Sequence, residues 1–221
     1  MRRRETRASD SPFVESITRV TYETWTRELS TPDGTWDIAV LVRGGKTTVL
    51  QTGVLSRPVV LENDAGDSYL AISFRPGVFV PETPGSRMVD RGLERPLVGA
   101  RKFAMENETL EVPTFENAEG LVSRLARAGL LARDELVESV VAGHPRAIHP
   151  RSMQRHFLHA LGMTPKYFEQ IQRARRAVEL LNEGIVPAEV AIAAGYSDQP
   201  HLTRSLKAIM GITPGALFRG R

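Results

Sequence analysis

The sequence predicts an α+β chain of more than one domain: a small β-barrel or sandwich first, then an all-helical domain. Three observations carry this. The hydrophobic period changes from strand-like to helix-like near residues 112–116. The charge changes sign along the chain. A thirteen-residue segment recurs, without a gap, 49 residues after its first appearance.

The β reading comes from short β-branched and aromatic runs punctuated by turn signals. "ITRVTYETWTREL" is followed by the turn "TPDGTW". "WDIAVLV" then meets "KTTVLQTGV" across Gly44-Gly45, a pair that suits a two-residue hairpin. "RPVVLEND" and "DSYLAISF" flank the turn "NDAGD", and "FRPGVFVPETPG" is a Pro/Gly-rich exit. Residues 86–112 show no decisive pattern. The basic start, "MRRRETRASD", reads as a disordered tail over residues 1–12, or as a DNA-contacting arm. No apolar leader core follows it.

After residue 112 helical spacing takes over. Leu121, Val122, Leu125, Ala128 and Ala132 recur at helical spacing, then Leu136, Val140 and Val141, with Gly143 as a stop. This predicts a helical linker or dimerisation segment over residues 113–143, after a β-rich domain over 13–112. Tyr167, Ile171, Ala174, Val178 and Leu181 then mark one amphipathic helix starting at Pro165, roughly 27 Å long at ~1.5 Å per residue.

Charge separates the two parts. Of 29 Lys/Arg and 26 Asp/Glu, residues 1–143 hold 18 and 21, leaving 11 and 5 for residues 144–221. The first part is net −3 and the last net +6, which points to an acidic partner for the C-terminal domain. There is no cysteine, so disulfides, thiolate metal sites and a Cys nucleophile are excluded. The longest apolar runs fall far short of the ~20 residues of a membrane span. A cytoplasmic protein with no membrane partner is expected.

The repeat pairs "MQRHFLHALGMTP" from Met153 with "LTRSLKAIMGITP" from Leu202. Each is a helix ended by Gly and followed by a Thr-Pro start. In the second unit Asp198 can cap the helix, and Leu202, Leu206 and Ile209 share one face. Gln199, Thr203 and Lys207 form a polar stripe beside Pro200 and Arg204. The short helix "PAEVAIAAG" precedes it, opened by Pro187 and ended by Gly195, so the pair reads as a helix-turn-helix. Arg can bond guanine bidentately, Gln can bond adenine, and Lys can hold phosphate. Taken singly, Gln199 or Thr203 is better read as an ordinary solvated residue; duplication of the whole arrangement reverses that and favours double-stranded DNA as the partner. On the intervening helix Arg173, Arg175 and Arg176 are divided between phosphate contact and surface salt bridges.

These motifs resemble the tandem helix-turn-helix domain of AraC/XylS-type transcriptional regulators. The carrying residues are Arg151, Met153, Arg155, Phe157, Gly162, Thr164 and Pro165, then Arg173, Ala177, Leu180 and Leu181. Ala191, Gly195, Tyr196, Leu202, Arg204, Lys207, Gly211, Thr213 and Pro214 complete the pattern. The resemblance implies a DNA-binding domain over residues 144–221. It places base contacts on Arg151, Gln154 and Arg155 in the first unit, and on Gln199, Pro200, Thr203 and Arg204 in the second. It departs at "HPRAIHPRS", where a full leading helix and a Ser or Thr cap are usual and His149 stands instead; an abbreviated first unit is expected.

The resemblance also implies a cupin-like N-terminal effector or dimerisation domain, a homodimer, contact with RNA polymerase and activation more than repression. Residues 1–143 contain no His, so the metal triad of catalytic cupins is missing, and no metal, cofactor or catalytic residue is expected. Trp25, Trp36, Tyr69, Phe74 and Phe79 are better read as core than as pocket, and "NDAGD" as a turn rather than a cation site. Two other readings stay open. One is a DNA binder controlled by a partner or by nothing. The other is an enzyme with a DNA-targeting domain, disfavoured by the lack of any catalytic constellation.

Overall fold

The computed structural model describes residues 2–144 and 147–218. The first part is β-rich: β1 (Arg2–Arg7), β2 (Val14–Tyr22), β3 (Thr26–Ser30), β4 (Trp36–Arg43), β5 (Lys46–Thr52), β6 (Val59–Asn63), β7 (Ser68–Phe74) and β8 (Val78–Phe79). A single turn, α1 (Gly85–Met88), leads to β9 (Gly92–Arg95), β10 (Leu97–Val98), β11 (Lys102–Met105) and β12 (Glu108–Glu111). Then come α2 (Ala118–Arg127), β13 (Ala132–Arg133), α3 (Glu135–Val141), α4 (Pro150–Leu161), α5 (Pro165–Asn182), α6 (Pro187–Ala193), α7 (Gln199–Met210) and α8 (Pro214–Phe218).

The main sheet is antiparallel, in the order β1-β2-β7-β4-β5-β9. Its two faces differ sharply. On one, Trp36 stacks on Phe74 with ring centroids 4.0 Å apart, and Ile38 pairs with Ile72 and Val40 with Leu70. These six residues are buried, and the Trp36 indole donates to the Val78 carbonyl at 2.7 Å. On the other face the registered residues are small: Thr18 opposite Ala71, and Ala71 opposite Ala39. The β3–β6 ribbon is a separate two-stranded sheet, and its residues line the space left beside that face.

The hairpin between β4 and β5 closes on Arg43 and Lys46, with Gly44 and Gly45 at φ 53° and 79°. "NDAGD" is the turn between β6 and β7; the Asp67 amide donates to the Asp64 carbonyl at 3.1 Å. Of the five aromatics read as core, Trp36 and Phe74 are core, Phe79 packs edge-on against His159, and Trp25 is exposed. Tyr69 instead lines the hollow face.

Two expectations are corrected and one open stretch is resolved. Residues 2–7 are not a disordered tail but the edge strand β1, paired through six residues with β2. Its side chains are nearly all exposed, so no hydrophobic alternation marks it. Main-chain bonds and charge pairs hold it: Glu5 with Arg19 at 2.7 Å, Arg2 with Glu28, and Arg7 with Glu119. Residues 86–112 form four short strands, too brief for a period to show. The segment 113–143 is not one helical stretch. The apolar face of α2 (Ala118, Leu121, Val122, Leu125) is buried in the core, so it is spent inside the chain rather than kept for a dimer seam. β13 then pairs with β8, and α3 opens the first helix-turn-helix unit, ahead of residue 144.

One hydrophobic core runs through both parts, from Ile72 and Phe74 of the sheet to Phe157, Phe168 and Leu206 of the helices.

Candidate nucleic-acid interface

The two repeat units superpose in their logic. α4 and α7 are twelve residues each and begin 49 residues apart, with proline in the first turn. α4 is capped by the His149 Nδ1 atom, which accepts from the Arg151 amide at 3.3 Å. α7 is capped by Asp198, whose Oδ1 accepts from the His201 amide at 2.6 Å. Both end on a glycine in the left-handed conformation, Gly162 at φ 72° and Gly211 at φ 70°. The buried stripe is Phe157, Ala160 and Leu161 in α4 and Leu202, Leu206, Ile209 and Met210 in α7.

The leading helices match in length: α3 and α6 each have seven residues. The first unit is therefore not abbreviated. What differs is the separation in sequence: α3 ends at Val141 and α4 begins at Pro150, whereas α6 ends at Ala193 and α7 begins at Gln199. Asp134 braces the first unit. Its Oδ1 accepts from the Leu136 and Val137 amides, and its Oδ2 meets His156 Nδ1 of α4 at 2.7 Å. Arg173 of α5 braces the second, lying over the Tyr196 ring at 4.8 Å and donating to the Gly195 carbonyl at 3.3 Å. Sequence reasoning missed both braces. The confinement of all five histidines to residues 144–221 was the available signal for His156.

The candidate base-reading residues lie on the outer surfaces of these helices. Arg151, Gln154 and Arg155 are exposed on α4, and Gln199, Pro200, Arg204 and Lys207 on α7. Thr203 is half-buried, and its hydroxyl donates to the Gln199 carbonyl at 3.0 Å. The two sets sit on separate helices joined by α5, 18 residues long, or about 27 Å. The three arginines of α5 have internal partners: Arg173 as described, Arg175 on the Asp33 carbonyl at 3.1 Å, and Arg176 on Glu179 at 3.5 Å. Among the described residues no cluster of three or more His, Asp or Glu has the form of a metal site.

The hollow face of the β domain is the second candidate site. A cavity of about 390 Å³ lies there, lined by Ala39, Leu41, Leu50, Leu61, Tyr69 and Ala71 among others. A neighbouring space of about 360 Å³ shares Asp33, Asp37 and Tyr69 and reaches Arg175. Asp37 stands between the two. Burial pushes its carboxyl up to about 7, with Asp33 adding to the rise and a hydrogen bond from Ser73 opposing it. Its Oδ1 is buried and has no hydrogen-bond partner among the described residues.

Residues 147–220 match the family described as a helix-turn-helix domain. A curated relative, the HTH-type transcriptional regulator VirS of Mycobacterium tuberculosis (strain CDC 1551 / Oshkosh), is 31% identical over 100 residues, 45% of this chain. The match spans 27% of that relative's length. Among solved structures, apo ToxT from Vibrio cholerae strain SCE256 aligns with a TM-score of 0.39 at 11% identity, covering 90% of this chain and 98% of that one. A second ToxT crystal form gives 0.26 at 9% identity, covering 88% and 98%. The assignment rests on the helix-turn-helix segment.

Proposed function

The C-terminal third of the chain is an AraC-type helix-turn-helix domain, and on that premise we propose that the protein is a sequence-specific transcriptional regulator reading two consecutive major grooves. The observation that carries the reading is the pair α4 and α7. Two capped helices of equal length expose Arg, Gln and Lys on their outer faces, and the helix α5 that lies between them in the chain, ahead of α6, is about 27 Å long. Successive major grooves on one side of B-DNA lie about 34 Å apart. Arg151, Gln154 and Arg155 read one groove, and Gln199, Pro200, Thr203 and Arg204 the next. Lys207 lies on the same stripe of α7 and holds phosphate.

The regulator responds to a small effector. The 390 Å³ hollow in the β domain supports this over control by a partner alone, since a filled sheet face would have left no room for a ligand. Homodimer formation, activation through RNA polymerase and a cytoplasmic setting follow from the family resemblance. Among the described residues no helix is long and apolar enough to cross a membrane.

The test is a footprint on DNA from upstream of the protein's own gene, at several salt concentrations, with wild type beside Arg204→Ala and Arg155→Ala. Protection over about two helical turns, weakened by each variant by ~1–3 kcal/mol with relaxed preference at one base position, is expected. Binding that stays equally tight and equally selective in both variants would sink the assignment of these helices.

A further inference from the structure

The hollow sheet face and the grip of α5 meet at one loop. Thr31, Asp33 and Thr35 line the cavity spaces. The Asp33 carbonyl also accepts from Gln172 Nε2 at 2.9 Å and from Arg175 Nη1 at 3.1 Å. The neighbouring Gly34 lies so close to the Phe168 ring that a side chain there would overlap it. Gln172, Arg175 and Phe168 all belong to α5, which joins α4 to the second helix-turn-helix unit. A shift in this loop therefore reaches the element that sets the spacing of the two recognition helices.

The chemistry of the hollow is specific. Its wall mixes aliphatic residues (Ala39, Leu41, Leu50, Leu55, Val59 and Leu61) with Ser, Thr, Asn, Asp, Arg and Tyr side chains. Asp37, half-buried with its Oδ1 shut off from solvent, has another acid, Asp33, as its charged neighbour. The arginines at the cavity and the neighbouring space are committed or outlying: Arg43 donates to Asn63 at 3.1 Å and faces Asp67 at 3.9 Å, Arg2 pairs with Glu28, Arg175 donates to the Asp33 carbonyl, and Arg4 and Arg91 are exposed. A desolvated carboxyl with an unpartnered oxygen is stabilised by a donor that brings a positive charge.

We infer that this cavity binds an apolar molecule bearing a protonated amine, held by Asp37, and that its arrival is passed to the recognition helices through the clasp of α5 on Asp33. The output half of this inference rests on the DNA-binding reading; the ligand site does not.

The ligand site is tested by calorimetry on the full chain with three scaffolds (phenylethyl, naphthylmethyl, hexyl), each as amine, alcohol and carboxylate. At least one amine should bind saturably, with its alcohol at least about tenfold weaker, the loss of one charge-assisted hydrogen bond. Asp37→Asn should abolish the preference for the amine, and Ala71→Leu, which fills the hollow, should abolish binding altogether. Alcohols or carboxylates binding as well as amines, a preference that survives Asp37→Asn, or no amine binding saturably would each overturn the site. The clasp is tested by footprinting with and without the binding amine. Wild type should change its DNA affinity on adding the amine. Gln172→Ala should still bind the amine yet lose that response. An unchanged response in Gln172→Ala overturns the clasp. Absence of any footprint overturns the regulator reading and the clasp with it, while calorimetry still decides the site.

Discussion

Gly162 and Gly211, 49 residues apart, end the two recognition helices in the same left-handed conformation, and both press against the β domain. A Cβ on Gly162 would strike the Val89 side chain and the Gly85 backbone, and one on Gly211 would lie 2.9 Å from the Pro58 ring. The β domain thus abuts the C-terminal end of each recognition helix, opposite the capped ends near which Arg151 and Gln199 lie. Alanine at either position meets two penalties, the left-handed backbone at ~1–2 kcal/mol and the overlap. Gly162→Ala should be the worse, because it meets backbone as well as side chain. We expect a loss of ~2–4 kcal/mol for Gly162→Ala and about half that for Gly211→Ala in urea unfolding. Equal, small losses would mean that the seam between the two parts is loose.

Thr203 and Arg204 are adjacent but should behave differently. The Thr203 hydroxyl is already bonded to the Gln199 carbonyl, so only its methyl is presented outward. Thr203→Val keeps a methyl and should alter DNA affinity by no more than ~0.5 kcal/mol. Gln199→Ala removes an exposed amide and should cost ~1–3 kcal/mol and relax one base position. Competition binding with single-base operator variants checks this, and a large effect of Thr203→Val would show that the hydroxyl turns to the DNA.

Asp134 serves two partners, the first turn of α3 and His156 of α4. Asp134→Asn keeps an oxygen for the cap, whereas Asp134→Ala removes cap and brace together. The alanine variant should lose ~1–2 kcal/mol of stability and the asparagine variant clearly less. If the brace orients the first unit, both variants should shorten the footprint on the side read by α4. Identical stability of the two variants would show that the cap contributes little.

The helical third was legible because its information is local. A capping residue, an apolar stripe and a terminal glycine lie within a dozen residues, and duplication repeats them in register. The interior strands were legible through alternation and the Gly44-Gly45 turn. What was hidden is non-local. β1 is polar throughout and exists because Glu5, Arg7 and Arg2 meet acids and bases from distant segments. The first unit looked abbreviated because "HPRAIHPRS" follows α3 in the sequence, although α3 and α6 are equal in length. Asp37 looked like one carboxylate among 26 acidic residues; only the pairing of β4 with β7 puts it beside two alanines in a hollow.

Arg7 offers a test of the edge strand. Its guanidinium donates to the Phe115 carbonyl at 2.6 Å and to Glu119 at 2.8 Å. The hydrogen bond from Arg7 draws the Glu119 carboxyl down to about 2. A carboxyl lowered on folding stabilises the fold above its ordinary value and loses that contribution as pH falls toward 2. Both side chains keep solvent contact, so the pair is worth only about 1 kcal/mol. The stability difference between wild type and Arg7→Ala should be present at pH 7 and shrink between pH 4.5 and 2. A difference that stays constant over that range would assign the effect to the Phe115 bond alone.

Asp37 has the opposite sign. Its carboxyl is raised to about 7 by burial first and by Asp33 second. Between about pH 4 and pH 7 the folded state holds a proton that the unfolded state has released. Stability from this group therefore falls as pH rises through that window. The charged and titratable groups around it are Asp33 on the loop, Tyr69 on β7, Arg2 and Arg4 on β1, Glu15 on β2, Glu28 on β3 and Arg175 on α5. They are common to wild type and Asp37→Asn, so the difference between the two proteins isolates Asp37. The asparagine variant should be the more stable at pH 8 by roughly 2–4 kcal/mol, with the gap closing toward pH 5. Parallel curves from pH 5 to 8 would mean that the carboxyl titrates normally and is hydrated. The same sign governs the ligand. An amine cation pairs with the ionised carboxylate, so its affinity should rise from pH 5 to pH 8, while an alcohol of the same shape should bind without that slope.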